Sequence, residues 1–582
     1  MQSEPNYYLR TLKITTSTMK KLLECVPNIS EGRDLVKIKA IAAAAEAVEG
    51  VQVLDVDPGR STNRTVITLV GEPEPLEEAA FQLIKKASEL IDMRKHTGAH
   101  PRMGATDVCP FIPLSGATMD DAATAAHRLG YRVGRELNIP GYYYENAAQR
   151  PERKNLAICR EGEYEGLDKL SSDFGKPDFG PANFNDSVRK TGATAIGARD
   201  FLVAYNINLN TTSTRRANAI AFDMREAGRV LREGDPVIGK VLLDSQGEPL
   251  RAPGTLKSVK GIGWYIEEYG IAQLSLNLTN IRVTPVHVAF DEACRLASER
   301  GIRVTGSELV GLIPLSCLID AADYFLRKQE RSTGISESEK IKIAVKSLGL
   351  DDLGPFDPTK KIIEYLIKEG QQDRLVSMSL RSFAEETASE SPAPGGGSVA
   401  AYCGAMAASL GAMVANLSAH KRGWDDRWEE FSNWAERGMD LQRRLLHAVD
   451  EDTAAFAKIM DALGMPKDNA LEKEKRRMAI DTATRYAAEV PLSVAEQSLE
   501  IFDLIEAMVD TGNPNSITDA GVGALCARAA VLGAVMNVRV NLKDFSDKAF
   551  SDSALRKAGE YEAQAIEKET FIRQKIAVSL DI

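Results

Sequence analysis

The sequence predicts an α+β region built from two ferredoxin-like-type subdomains, followed by an all-α helical bundle. Three observations predict it. One order of strand and helix periodicities occurs twice in the first two-thirds of the chain; composition changes after Tyr365; and each half carries one improbable loop. The loops are His96-Thr97-Gly98-Ala99-His100-Pro101-Arg102-Met103-Gly104 and Pro392-Ala393-Pro394-Gly395-Gly396-Gly397-Ser398, so one polypeptide is expected to hold two active sites.

The elements follow in order. Residues 1–19 read as an appendage, because Met19-Lys20-Lys21 stands directly before the first strand-like run. An apolar run at 22–29, a helical stretch at 34–48, strand-like runs at 51–56 and 64–70, a helix at 75–93 and a strand at 108–114 give strand-helix-strand-strand-helix-strand. The second helix opens on Pro and Glu and carries Leu76, Ala80, Leu83, Ala87, Leu90 and Ile91 on one face. The order returns as a strand at 201–207, a helix at 214–231, a hairpin over 256–278 turning near Tyr269-Gly270, a helix at 285–300 and a strand from Arg303. A surface excursion at 234–255, rich in Gly, Pro and charge, interrupts the repeat. Subdomain boundaries are expected at 20–200 and 201–367, with a cleft between the two as a ligand site.

A polar linker at 368–379 leads to the helical domain at 380–582. Helices are expected at 399–419, 427–463, 471–511, 519–542 and 553–576, with Pro466, Pro491 and Pro514 as boundaries or kinks.

At 582 residues the chain exceeds one hydrophobic core. Its net charge of −11 is spread among interspersed cations, which argues against a nucleic-acid stripe or a membrane-surface helix, so no nucleic acid or membrane partner is expected. Small molecules and further copies of the chain are. Seven scattered cysteines without metal-pair spacing read as buried thiols in a reducing compartment. No uninterrupted apolar run is read as reaching bilayer length, and the expected location is the cytoplasm.

Histidine is scarce, six in all, and His96 and His100 stand four apart in a Gly-containing loop. Acid–base catalysis and loop ordering are equally open for such a pair, while a zinc pair is disfavoured because this spacing aligns ligands only on a helix. Asn28, at the end of the first strand, and Asp57, in Asp55-Val56-Asp57, place polar groups at one end of the sheet, with turn formation as the simpler account. Arg64 and Arg102 suit bidentate binding of a substrate carboxylate, or a surface ion pair.

In the helical half Leu445, Val449, Asp452 and Phe456 share one face, so an acid lies among apolar residues and a raised pKa is expected. A partner cation such as Arg485 or Arg528 is the alternative. The Gly395, Gly396, Gly397, Ser398 run leaves free N–H groups at a helix start, suited to a carboxylate or to a close helix contact. Thr518 or Asp519 reads as an N-cap.

Taken together, Leu23-Glu24-Cys25-Val26-Pro27-Asn28-Ile29-Ser30-Glu31-Gly32, Asp55-Val56-Asp57 with Ser61-Thr62-Asn63-Arg64-Thr65, the His-Pro-Arg-Met-Gly loop and Asp107-Val108-Cys109-Pro110-Phe111 resemble the first domain of the formiminotransferase-cyclodeaminase family. The Pro-Ala-Pro-Gly-Gly-Gly-Ser loop, Val449-Asp450-Glu451-Asp452 and the 513–523 segment resemble its second domain. The resemblance implies transfer of a formimino group from N-formiminoglutamate to N5 of tetrahydrofolate, then closure of 5-formiminotetrahydrofolate to 5,10-methenyltetrahydrofolate with loss of ammonia. Tetrahydrofolate, in polyglutamylated form, is the implied co-substrate, with no metal.

The resemblance puts the transferase base on His100 and the cyclodeaminase acid on Asp452. It implies folate or substrate contacts at Asn28, Asp57, Gly180, Pro181, Gly192, the Gly395–Ser398 loop and Asp519, and a homo-oligomer, in the family a ring octamer. Thr97 and Ala99 stand where some relatives carry His and Glu. Two other readings remain: an N-formylglutamate-using transferase fused to a methenyltetrahydrofolate cyclohydrolase-like domain, and a helical oligomerisation or folate-binding module whose chemistry has lapsed.

Overall fold

Pro27 splits the first predicted strand. It has no N–H to give to a ladder, so the run becomes β1 (Leu22–Cys25) and β2 (Asn28–Ile29), while its carbonyl still accepts from Ile67 N. The structure is a computed structural model that describes residues 21–60, 62–98, 101–172, 175–234, 238–368 and 375–581. The appendage at 1–19, His100 and part of the 368–379 linker lie outside the described residues. The chain forms two compact units, one reaching Cys317 and taking in Gly349–Gly370, the other comprising Leu318–Leu348 and the chain from Gln371.

In the first unit α1 (Leu35–Glu46) starts where the Asp34 carboxylate accepts from Val36 N and Lys37 N. β3 (Val51–Gly59) and β4 (Arg64–Gly71) follow, then α2 (Pro73–Leu90) and β5 (Thr106–Ser115). Leu76, Ala80, Leu83, Ala87 and Ile91 are buried as expected. The strands lie in the order β3-β4-β1/β2-β5.

Beyond β5 the sheet continues in a way the sequence reading does not foresee. α3 (Met119–Glu136), opened by a Thr118/Asp121 capping box, leads to β6 (Gly141–Glu145), the short α4 (Leu156–Cys159) and α5 (Asp186–Thr191), and β7 (Thr194–Ala198). β7 runs parallel to β5 and to β6. Strands this short and buried on both faces show no alternation to read.

The second subdomain holds β8 (Val203–Leu209), α6 (Thr214–Met224), β9 (Arg229–Val230), β10 (Arg251–Ala252), β11 (Val259–Ile266), β12 (Ile271–Leu278), α7 (Val286–Ser298) and β13 (Val304–Val310). Its order, β11-β12-β8-β13, repeats that of the first subdomain, so the duplication extends to topology. The helix expected to reach 231 stops at Met224, and beyond it Gly228 turns at φ 59° where a Cβ would strike Ala252 O. Unforeseen helices follow: α8 (Leu315–Lys328), α9 (Glu337–Leu348), α10 (Pro358–Lys361) and α11 (Ile363–Lys368).

The second unit packs α12 (Leu380–Thr387), α13 (Gly396–Ala419), α14 (Trp428–Gly464), α15 (Ala470–Thr511), α16 (Ile517–Leu542) and α17 (Lys548–Ser579) around an Ala-, Leu- and Val-rich core. Pro466 and Pro514 stand at helix ends, but Pro491 lies inside the unbroken α15. A proline there cannot donate to Ala487 O; the Asn541 amide does so instead, at 2.6 Å, and satisfies the orphaned carbonyl. Contrary to the reading that nothing reaches bilayer length, α13 and α16 are long and apolar enough to cross a membrane. In this fold 61% of the apolar window of α13 and 44% of that of α16 is buried in the protein. Cys25, Cys109, Cys159 and Cys317 are buried thiols as expected, whereas Cys294, Cys403 and Cys526 are half-buried.

Candidate active sites

In the first unit a polar cluster forms where β2 is wedged between β4 and β5. Asn28 faces Val66 on one side and Val108 on the other. The Arg64 guanidinium donates to Asn28 Oδ1, and burial lowers the Arg64 pKa to about 10, with the nearby Asp107 charge opposing the fall. Asp107 is fully buried; it accepts from Arg160 and, at 3.0 Å, from Met103 N. Asn28 and Arg64 are thus brought together; of the expected convergence of polar groups at one sheet end, the part that involves His100 lies outside the described residues. Asp57, exposed on β3, is also opposite Val66, in the same cross-strand row as Asn28.

The His-Gly-His loop is held from below on both sides of its undescribed centre. His96 Nε2 lies 2.9 Å from Asn63 O and donates to it, while Nδ1 accepts from Arg102 Nε, so His96 takes the loop-ordering role. Asn63, at φ 49°, also donates to Thr97 O and accepts from Gly32 N. A Cβ on Gly98 would meet Thr62 O at 2.2 Å, so only glycine permits this approach. Downstream, Ser30 Oγ donates to Gly104 O, and Gly104 bridges Gly192.

Four expected contact residues take other places. Arg102 does not stand open for a substrate carboxylate: it is forked onto Glu165 by two 2.7 Å hydrogen bonds and also reaches Glu163. Gly192 (φ 69°) presses the loop from behind, where a Cβ would strike Met103 O. Gly180 (φ 78°) and Pro181 follow Asp178, which is clamped by Arg153 and by Tyr143 N; a Cβ on Gly180 would strike Ile139 O. Sequence reading missed Asn63 and Arg160. The first carried a signal in the Asn-Arg-Thr turn, since Asn tolerates a left-handed backbone; the second carried none.

One further group of this sheet is Glu24, on β1 between Val70 and Ile112. It is 5% exposed. Burial pushes its pKa up to about 7; Arg199 opposes the rise and Glu364 adds to it. Asp55 is also raised, by burial and by the Asp57 charge.

In the second unit the glycine loop and the acid meet. Gly395 caps α13, and a Cβ on Gly397 would fall 2.2 Å from Asp452 Oδ1. Ser398 Oγ lies 3.1 Å from Asp452 Oδ2 and 3.0 Å from Val449 O, and donates between them. Burial raises the Asp452 pKa, and the Ser398 hydroxyl and N–H oppose that rise. The alternative cationic partners are engaged elsewhere, Arg485 with Glu489 and Asp547, and Arg528 with Glu569. Phe456 departs from the expected apolar face and is 43% exposed, while its neighbour Ala455 is buried against Ala487 and Val490 of α15.

Asp519 does not join this site. Asn537 lies beside Gly396 while Asn513 N donates to Ser418 Oγ, so α13 and α16 run antiparallel. Asp519 therefore sits about 27 Å along α16 from the glycine loop, at ~1.5 Å per residue. Nor is Thr518 or Asp519 the cap, since α16 begins at Ile517 with Ser516 before it.

Comparison with known proteins covers both units. Family profiles match over residues 22–199 (formiminotransferase domain, N-terminal subdomain), 204–368 (formiminotransferase domain) and 379–560 (formiminotransferase-cyclodeaminase). The formimidoyltransferase-cyclodeaminase of Rattus norvegicus is 43% identical over 92% of this chain and 95% of its own length. The glutamate formimidoyltransferase of Streptococcus pyogenes is 40% identical over 54% of this chain and 95% of its own. A methenyltetrahydrofolate cyclohydrolase of Methylorubrum extorquens is 36% identical over 31% of this chain and 86% of its own. With both site-bearing units matched in order and at this identity, the chain belongs to the formimidoyltransferase-cyclodeaminase family.

Proposed function

We propose that the protein carries out two successive folate reactions. The first unit transfers the formimino group of N-formimino-L-glutamate to N5 of tetrahydrofolate. The second cyclises 5-formiminotetrahydrofolate to 5,10-methenyltetrahydrofolate and releases ammonia. The observation that carries this reading is the 92% coverage by a bifunctional relative that extends across both candidate sites.

In the transfer, N5 attacks the amidine carbon, the bond to the glutamate nitrogen breaks, and the N5 proton ends on glutamate. His100 is the proposed carrier of that proton. Its neighbour His96 has both ring nitrogens engaged, which supports giving the role to His100. Asn28, Arg64 and Asp57 are the proposed substrate-facing groups.

In the cyclisation, N10 attacks the protonated formimino carbon, and the N10 proton passes to the departing nitrogen, which leaves as ammonia. Asp452 is the proposed proton carrier, and its raised pKa supports that. The start of α13 at Gly395, Gly396, Gly397 and Ser398 suits a folate carboxylate. Neither step calls on a metal, because a protonated amidine carbon is already electrophilic. The natural co-substrate is proposed to be polyglutamylated, and the protein a cytoplasmic homo-oligomer, as a ring of eight copies.

The test follows methenyltetrahydrofolate absorbance and ammonia from N-formiminoglutamate and tetrahydrofolate. Wild type forms both products; His100→Ala forms neither until given 5-formiminotetrahydrofolate; Asp452→Ala stops at that intermediate. Turnover of N-formylglutamate alone, or an unchanged Asp452→Ala, overturns the reading.

A further inference from the structure

At the second site the reacting end of the folate meets an acid and a glycine turn, but neither of these holds its rings. We propose that Phe456 is the surface on which one planar ring of the folate stacks while its formimino carbon is presented to Asp452. This rests on the functional reading above and deepens it to the way the substrate is held.

Register is the first ground. A Cβ on Gly404 would meet Leu445, and a Cβ on Gly397, seven residues earlier, would meet Asp452, seven residues later. The helices α13 and α14 are therefore antiparallel and in step. One turn beyond Asp452 stands Phe456, past the Gly395 cap at which α13 starts, so it lacks the helix that lies against Leu445 and Asp452, and its side chain is exposed. The start of α13 is open too. Among the described residues, a Cβ on Gly395 would find Pro392 O nearest, at 3.9 Å, and one on Gly396 the Asn537 amide, at 3.6 Å.

Reach is the second ground. Residues four apart on a helix have Cβ atoms about 5–6 Å from each other, and helical side chains lean back toward the N-terminus of their helix. Phe456 therefore leans over the turn that carries Asp452. Met460 and Leu463, farther along α14, are exposed as well, but at ~1.5 Å per residue they stand about 12 Å or more beyond the acid along the axis. Phe456 is the one of the three that can border the same ligand atoms as Asp452.

Chemistry is the third. The formimino carbon is bonded to N5, an atom of the pterin, and is attacked by N10, which carries the p-aminobenzoyl ring. A planar system thus flanks the reacting centre on either side. A folate with this carbon beside Asp452 brings one of them to about the 4.5–7 Å at which ring centroids stack. Stacking needs only a π-face, so an exposed phenyl ring suits either. Phe456 takes no proton and forms no bond in the reaction; it fixes the plane of a ring, and with it the place of the carbon that N10 attacks.

The experiment uses the full chain as wild type, Phe456→Ala and Phe456→Trp. It measures kcat and KM for cyclisation of 5-formiminotetrahydrofolate, the inhibition constants of p-aminobenzoylglutamate and 6-methyltetrahydropterin, which carry one ring system each, and tryptophan emission during titration with 5-formyltetrahydrofolate. Phe456→Ala is expected to raise KM about tenfold with kcat nearly unchanged, and to weaken one of the two fragments by a similar factor, which identifies the stacked ring. Phe456→Trp, which guards against a misfolded alanine variant, is expected to restore KM, and 5-formyltetrahydrofolate to quench its emission more strongly than that of wild type. An unchanged KM in Phe456→Ala, or a rise that Phe456→Trp does not reverse, overturns the assignment. Wild type that fails to cyclise 5-formiminotetrahydrofolate overturns the functional reading instead, and the quenching then reads the stacking by itself.

Discussion

The two candidate sites are built on opposite electrostatic plans. Around the transferase loop, charged side chains are matched in pairs: Asp107 with Arg160, Asp178 with Arg153, Arg102 with Glu163 and Glu165. In the helical bundle Asp452 is half-buried, and it accepts from the Ser398 hydroxyl and N–H. The contrast teaches what each scaffold is for. Strand ends and loops need ion pairs to hold their geometry, whereas rigid helices position an acid by packing and neutral hydrogen bonds, without a cation, and burial then raises its proton affinity.

The sharpest way to break this comparison is Gly397→Ala. A Cβ 2.2 Å from Asp452 Oδ1 must displace the acid or the helix start, and a displacement of about 1 Å costs about 100-fold. Methenyl formation from 5-formiminotetrahydrofolate should fall by that factor with transfer intact. An unchanged rate would mean that packing does not position the acid.

Asp107→Ala tests the opposite plan. It leaves Arg160 and Met103 N facing a buried gap, and removing one member of a buried pair costs about 3–5 kcal/mol. Urea denaturation of the unit that carries the sheet should show it. A loss below about 1 kcal/mol would mark the pair as solvated.

Glu24→Gln probes the one acid of the sheet raised far above its ordinary range. Its pKa rises from 4.5 to about 7 on folding, so the folded state prefers the protonated form. Stability is therefore fully present below the lower value and is lost as pH rises to the upper one, by about 3 kcal/mol. Relative to wild type, the glutamine variant should gain about that much at pH values above 7 and nothing below 4.5. Parallel stability–pH curves would show that Glu24 ionises freely.

The smallest effect is expected for Arg102→Ala. Its Glu165 partner is largely exposed, so the loss should stay within about 1 kcal/mol, with the KM for N-formiminoglutamate almost unmoved. A KM increase of about tenfold would return Arg102 to the substrate.

How much of this was legible beforehand depends on the range of the interaction. Leu76, Ala80, Leu83 and Ala87 announce α2 because burial of one helix face is written at a fixed local period. The doubled strand-helix order, the bundle helices and the candidacy of Asp452 come from the same kind of signal, and so does the meeting of Gly397 and Asp452 once the family resemblance is added. Phe456 shows where that signal ends: the period continues, but the face buried against α15 at this turn is the one that carries Ala455.

From the chain alone came the order of elements, the punctuation by Gly and Pro, and the residue types available for proton transfer. Those are local quantities, fixed by backbone sterics, side-chain alternation and intrinsic acidity. Only the tertiary structure decided that Asn541 repairs the helix at Pro491, that Arg102 is spent on Glu165, that Asp519 lies at the far end of α16 from Asp452, and that Asn537 stands at the glycine turn. Each depends on which segments distant in sequence come to lie side by side, and no period in the sequence encodes a partner tens of residues away.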